Sequence, residues 1–336
     1  MTQQTSKPPA LGPLLQAFFT EHLISHRLAS PQTVDGYRDT FRLLLEFLHR
    51  TKGNAPSALS VSDLDAPAVL EFLDYLEKDR HNSIRSRNVR LAAIRAFFRL
   101  VALRDPASVN VATRVLAIPV KRTDRRLVHY LTRPEMEAVL AAPDRTQWTG
   151  QRDYALLLTM YNSGARVSEV ASLQRRHIQV GSTSFLEIHG KGRKERQVPV
   201  WPKTARTLKT WLETHAPAPE SPAFPNARGG RLSRDGVNYI LQAAVRTATN
   251  VCPSLSGKRV SPHVIRHTTA MHLLQSGVDI TVIALWLGHE SIETTHGYLE
   301  ADLTLKEKAL QKLAPAGQAA PRFQADDPLL VFLKAL

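Results

Sequence analysis

The sequence has one cysteine, Cys252, in 336 residues, so no intramolecular disulfide can form, and a reducing compartment is its expected home. It has no run of about 18 uncharged apolar residues, and its opening stretch, MTQQTSKPPA, does not place a basic segment before an apolar one. Membrane spanning and secretion are therefore not expected; a cytoplasmic location is. No internal repeat stands out, and with one cysteine and no H-E-x-x-H stretch the histidines show no zinc-ligand pattern. Acidic residues are the scarcer charge: 44 Lys+Arg stand against 30 Asp+Glu, a formal net charge of +14. Such a surplus favours a polyanionic partner, because each phosphate neutralised by a side chain releases condensed counterions.

What is present is the composition of a globular protein, 43% hydrophobic and 22% charged. The length is about twice the roughly 150 residues typical of one domain, which predicts two. Residues 11–105 carry apolar positions every three or four residues and predict a helical block of four helices. The clearest opens at Ser30-Pro31, a cap followed by proline at the first helical position, and presents Val34, Tyr37, Phe41, Leu44, Leu45 and Leu48 on one stripe. The last helix of the block carries Arg85, Arg87, Arg90, Arg95 and Arg99 beside an apolar stripe of Leu91, Ile94, Phe98 and Val101. A helical wheel puts Arg85, Arg95 and Arg99 off that stripe and Arg87 and Arg90 near its edge. A phosphate-facing helix and a merely solvated arginine face share this signature.

Residues 106–128 show no sustained periodicity and end in a basic run that includes Lys121 and Arg122, which predicts an interdomain linker. Thr132-Arg133-Pro134-Glu135 is a capping box that restarts helix and opens a second domain, 129–313. Within it Phe185–His189 alternates, Gly190-Lys191-Gly192 supplies a turn, and Gln197–Val200 returns, predicting a β-hairpin with Lys191 at its tip and Arg193 and Lys194 beside it. The fold class is thus mainly α with a small antiparallel sheet. The last helix should end near Leu313, and residues 314–336 form a tail with an isolated apolar patch at Leu329–Leu333.

Four separated segments place a phosphate-compatible group at a structural boundary. In Tyr161–Glu169 an apolar helix breaks at Gly164 and Arg166 stands where the next begins, able to aim a planar, permanently charged fork. Lys191 lies between two glycines that permit close backbone approach. In Ser261–His267 serine caps, proline takes the first helical position, and the i, i+3 spacing sets His263 and Arg266 on one face at the positive helix end. The fourth segment, Leu287–Tyr298, ends a helix at Gly288, leaves His289 in the break and brings Tyr298 out after Gly297. Histidine supplies proton transfer near neutral pH and tyrosine can act as a nucleophile.

Taken in order, GAR-x-SE, GKG-x-KER, H-x-x-RH, LGH and a following tyrosine resemble the catalytic domain of the tyrosine recombinases, which include Xer-type resolvases and phage integrases. The helical block resembles the core-binding domain of that family, so the likeness spans nearly the whole chain. It implies a C-shaped two-domain clamp on double-stranded DNA, no cofactor or metal, and a homotetramer assembled on two sites. By position, it implies that Arg166 and Arg266 hold the scissile phosphate, Lys191 protonates the departing 5′ oxygen, and His263 exchanges protons. It further implies that His289 hydrogen-bonds the phosphate, Tyr298 attacks it, and Glu169 braces the first arginine. The arginines named above, with Lys121, Arg122, Arg193 and Lys194, are candidates for DNA backbone contacts, and the tail for docking on a neighbouring protomer. Relaxation of supercoils by the same chemistry, as in type IB topoisomerases, and a non-catalytic DNA-binding regulator are the alternative readings. The motif set departs from the family at none of the six catalytic positions.

Overall fold

The computed structural model describes residues 11–123, 129–190, 195–215, 218–289 and 295. The chain divides into two compact units, Met1–Arg125 and Arg126–Leu336. Both are built mainly of helices, with one three-stranded antiparallel sheet in the second. Among the described residues no helix is long and apolar enough to cross a membrane.

In the first unit α1 (Leu11–Ala17) runs on as a π-helical stretch, Phe18–His26, followed by α2 (Pro31–Lys52), α3 (Ala66–Lys78), α4 (Ile84–Arg104) and α5 (Val109–Ala117). Helix α2 begins where its sequence says it should. Thr33 N donates to Ser30 Oγ at 3.3 Å, Pro31 fills the first turn, where a missing N–H costs nothing, and left-handed Gly53 ends the helix. Phe41, Leu44 and Leu48 of the expected stripe are buried, and Leu43 and Phe47 join them, so the apolar face is wider than one stripe. Phe18, Phe41 and Phe97 meet edge to face at centroid separations of 5.2 to 6.0 Å, each adding roughly 1.5–3 kcal/mol by burial.

The stretch 106–128 departs from the expected linker over its first half. Helix α5 occupies Val109–Ala117, and Ala112, Val115 and Ile118 lie in the core of the first unit. Their three-residue spacing is a helical stripe, but Pro106 and Pro119 confine it to so short a segment that no sustained period develops.

Three of the five α4 arginines are committed to this packing. Arg87 is 3% exposed; it faces Glu77 at 3.5 Å and donates to Pro119 O at 3.2 Å. Arg95 Nη2 donates to Leu116 O at 2.7 Å and Ile118 O at 2.8 Å, capping the end of α5. Arg90 Nη1 donates to Gly36 O and Thr40 Oγ1, each at 3.0 Å, and so ties α4 to α2. Arg85 and Arg99 are exposed. Lys121 pairs with Glu77 at 2.7 Å and its backbone is held by Asn88, while Arg122 is exposed. Arg87, Arg90 and Arg95 therefore hold the fold rather than offer charge to a partner. Arg95 lies off the apolar stripe, as the wheel puts it, but α5 packs against α4 there and its last carbonyls take the Arg95 Nη2 donors.

The second unit contains α6 (Arg133–Ala141), α7 (Trp148–Ser163), α8 (Val167–Ala171), β1 (Ile178–Gln179), β2 (Phe185–His189), β3 (Glu195–Pro199), α9 (Pro202–His215), α10 (Arg234–Thr249), α11 (Pro262–Gln275) and α12 (Ile280–Leu287). The capping box at Thr132 forms as read, with Thr132 N donating to Glu135 Oε2 at 2.9 Å. The sheet order is β1-β2-β3, and the β2–β3 hairpin pairs Leu186 with Val198, Ile188 with Arg196 and His189 with Glu195. Leu186, Ile188 and Val198 turn one face to the core. Helix α7 is buried along most of its length between α6, α9 and α11. A small satellite core of Ala270, Met271, Leu274, Ile283 and Leu287 joins α11 to α12. The hairpin residues 191–194, the last helix toward Leu313 and the tail 314–336 lie outside the described residues.

Candidate active site

The site assembles from three chain breaks, each fixed by local sequence. Helix α7 stops at Gly164, which is left-handed (φ 59°, ψ 22°). A Cβ there would come within 2.5 Å of Leu287 Cδ2, so glycine is required both for the backbone and for the approach of α12. Two residues on, Arg166 is the N-cap of α8, and its backbone N donates to Glu169 Oε2 at 2.9 Å while its Nη1 donates to Glu169 Oε1 at 2.8 Å.

The second break opens α11, where Val264 N donates to Ser261 Oγ at 3.3 Å and Pro262 occupies the first turn. The i, i+3 spacing puts His263 and Arg266, which is 4% exposed, on the same side of the first turn. The third break is the end of α12 at left-handed Gly288 (φ 67°).

The guanidinium groups meet at this third break. The last carbonyls of a helix have no partner within it. Here three successive ones are each taken by a different arginine: Trp286 O by Arg196 Nε at 3.0 Å, Leu287 O by Arg266 Nη2 at 2.8 Å, and Gly288 O by Arg166 Nη2 at 3.4 Å. Arg266 Nη1 also donates to Gly164 O at 2.7 Å, which locks the first break to the second. The negative end of the helix dipole favours these cations. The result is a concentrated, pre-set positive field beside His289, the residue that follows Gly288.

That field shows in the histidines. Burial, then the charges of Arg266, Arg166, His267 and Arg196, bring the His289 pKa down to about 4, and its Nδ1 lies 2.8 Å from Thr295 Oγ1. Burial, His263 and Arg266 bring His267 down to about 4 as well. His263 is lowered by burial and by Arg266 and Arg166. All three are therefore neutral near pH 7, able to accept a proton or a hydrogen bond. Burial opposes ionisation of Glu169, but the hydrogen bond and charge of Arg196, with the backbone and side chain of Arg166, outweigh it and hold the carboxyl below its ordinary value.

The structure thus brings together Arg166, Glu169, His263, Arg266 and His289 from the sequence-based set. Lys191, Arg193, Lys194 and Tyr298 lie outside the described residues. Two members of the cluster were given no role by sequence reading. Arg196 is the last letter of the K-E-R string, and nothing local distinguishes it from a strand surface charge; its partners, Glu169 and Trp286, are 27 and 90 residues away. His267 stands one turn after His263, with ring centroids 6.4 Å apart, and was legible only as the H of H-x-x-RH. Among the described residues no three His, Cys, Asp or Glu side chains gather as a metal site would require.

Comparison with known proteins shows the family. Residues 129–304 match the phage integrase family, and residues 17–104 match the phage integrase N-terminal SAM-like domain. The protein y4rC of Sinorhizobium fredii, whose name assigns it provisionally to the integrases/recombinases, is 49% identical over 331 residues, covering 98% of this chain and 100% of that protein. A tyrosine recombinase XerC from Pelobacter propionicus is 32% identical over 308 residues, 91% of this chain and 97% of that one. Among solved structures, the XerH site-specific recombinase bound to its palindromic difH substrate is similar with a TM-score of 0.68 at 20% identity, covering 85% of this chain and 81% of that one. At that identity the likeness speaks for the fold alone. With a cluster of arginine and neutral histidine at the expected motifs and a family match over both units, the chain belongs to the phage integrase family of tyrosine-type site-specific recombinases.

Proposed function

We propose that this recombinase breaks and rejoins duplex DNA through a 3′-phosphotyrosyl intermediate on Tyr298, with Arg166 and Arg266 holding the scissile phosphate. The convergence of those two guanidiniums on the adjacent carbonyls of Leu287 and Gly288, next to His289, carries the reading. In the forward step the phenolic oxygen bonds to phosphorus as the P–O5′ bond breaks. The phenolic proton passes to His263, and Lys191 supplies a proton to the departing 5′ oxygen. His289 donates a hydrogen bond to a non-bridging oxygen. The two arginines neutralise charge that grows on the phosphorane oxygens, the part played by metal ions in other phosphoryl transfers. Attack of a 5′ hydroxyl from the partner duplex reverses the step. The phosphodiester energy is conserved throughout, so neither ATP nor a metal enters the balance.

The first unit is the core-binding domain in this reading, with exposed Arg85, Arg99 and Arg122 meeting backbone phosphates, and the hairpin residues Arg193 and Lys194 doing so from the second. Four strand cuts require four nucleophiles, hence a homotetramer on two sites, with the tail 314–336 docking on a neighbouring protomer. Duty on a mobile element, in the cytoplasm and at the nucleoid when DNA-bound, completes the proposal. The test is a plasmid carrying two marked sites, incubated in EDTA without ATP. Joint molecules that disappear with Tyr298→Phe, while DNA binding persists, support it. Relaxation of supercoils without joint molecules, or exchange that survives Tyr298→Phe, overturns it.

A further inference from the structure

Arg196 sits on β3 opposite Ile188, in the hairpin that leads to Lys191. Its side chain is only 12% exposed and spans two parts of the site. Nη2 donates to Glu169 Oε2 at 2.7 Å and Nε donates to Trp286 O at 3.0 Å. The path it takes is tight: a Cβ on Gly288 would lie 3.0 Å from Arg196 Nη1, so the glycine that ends α12 also makes room for this guanidinium.

Glu169 is 5% exposed and shared between two arginines, one oxygen facing the Arg166 side chain, the other Arg196 and the Arg166 backbone. With only Arg166 as partner, the carboxylate would cancel the charge that a phosphate needs. A second arginine changes the sum: two guanidiniums and one carboxylate leave a net positive charge. Its two bonds, one to Glu169 and one to Trp286 O, also link β3 to α8 and α12.

We propose that Arg196 is a positioning residue for the cleavage step: it supplies the counter-charge to Glu169, leaving Arg166 its positive charge for the phosphate. The inference rests on the reading of Arg166 as a phosphate ligand. Single-turnover cleavage of a nicked trapping substrate, DNA affinity by gel shift and thermal unfolding by tryptophan fluorescence are measured on Arg196→Gln, Arg196→Lys, Glu169→Gln and the Glu169→Gln/Arg196→Gln double variant. Arg196→Gln is expected to cleave roughly ten- to a hundredfold slower, as loss of a supporting partner commonly does, with DNA affinity changed less than about threefold. Arg196→Lys, a point charge without the fork, should fall between it and the wild type.

The double variant is the readout that a purely structural role would not move. Once residue 169 is neutral its counter-charge is no longer needed, so the double variant should cleave faster than Arg196→Gln and close to the rate of Glu169→Gln. If Arg196→Gln fails to fold, the double variant against Glu169→Gln still decides: equal rates support the inference, and a loss of roughly tenfold or more overturns it. Wild-type cleavage by Arg196→Gln, or a double variant that loses as much relative to Glu169→Gln as the single does relative to wild type, overturns the inference. Arg166→Ala separates the two readings: if it cleaves like wild type, the phosphate-ligand reading fails, whereas an inactive Arg166→Ala beside unaffected Arg196 variants sinks this inference alone.

Discussion

Replacing Arg266 with alanine should unfold the second unit at lower temperature as well as abolish cleavage, whereas Arg166→Ala should cost mainly activity. The difference follows from what each guanidinium holds. Arg266 is 4% exposed and satisfies Gly164 O at 2.7 Å and Leu287 O at 2.8 Å. Truncation orphans both carbonyls in a site that water reaches poorly, at about 1–3 kcal/mol each, and opens a cavity between α7, α11 and α12. Release of a buried charge offsets part of this. About 2–4 kcal/mol of net loss remains, which for a unit of this size lowers Tm by roughly 5–15 °C. The Arg166 side chain is 33% exposed, its bond to Gly288 O is long at 3.4 Å, and Arg196 remains to pair with Glu169 when it is gone. Its loss should cost about 1 kcal/mol or less. Tryptophan fluorescence reads this unit alone, because Trp148, Trp201, Trp211 and Trp286 are all the tryptophans in the chain. Equal Tm shifts for the two variants, or an Arg266→Ala shift under about 2 °C, would refute the view that Arg266 clamps the three breaks together.

Gly164→Ala tests the first break: a positive φ and a Cβ 2.5 Å from Leu287 predict a loss of about 2 kcal/mol or more, together with slower cleavage as Arg266 loses its carbonyl partner; a variant as stable and active as wild type contradicts this. NMR titration of the histidine rings should find His289 and His267 with pKa near 4 in the free protein, and a value near 6.5 for either would contradict the proposed arginine field. Because both are depressed in the folded state, the unfolded chain binds more protons between about pH 4 and 6.5, so their contribution to stability is complete above that window and is lost as pH falls through it. On α4, Arg85→Ala and Arg99→Ala should shallow the salt dependence of DNA binding by about one unit of slope each with little change in Tm. Arg87→Ala should do the opposite, because its removal leaves Glu77 facing only Lys121.

Much of the scaffold was legible because its punctuation is local. Ser30-Pro31, Thr132 with Glu135 and Ser261-Pro262 each satisfy orphan helix N–H groups within four residues, and Gly164 and Gly288 end helices through their own φ. The hairpin likewise follows from alternation on either side of a glycine turn. What escaped depends on distant partners. Helix α5 was hidden because a few turns between prolines carry too little period, and its burial against α4 is settled only by packing. Arg95 looks like any exposed arginine until the end of α5 is placed over it, and Arg87 and Arg90, at the edge of the apolar stripe, take their roles only from Glu77 and Thr40. Arg196 escaped for the same reason, since its role is created by Glu169 and α12.

The most direct test of the account is chemical. A nicked substrate that loses the short fragment bearing the new 5′ hydroxyl after cleavage should trap the protein on DNA, and proteolysis with mass spectrometry then locates the link. The account predicts a phosphodiester between a 3′ phosphate and Tyr298, absent from Arg166→Ala and Arg266→Ala protein that still binds DNA. An adduct on any other residue, or cleavage by folded, DNA-bound protein with no covalent intermediate, would contradict it.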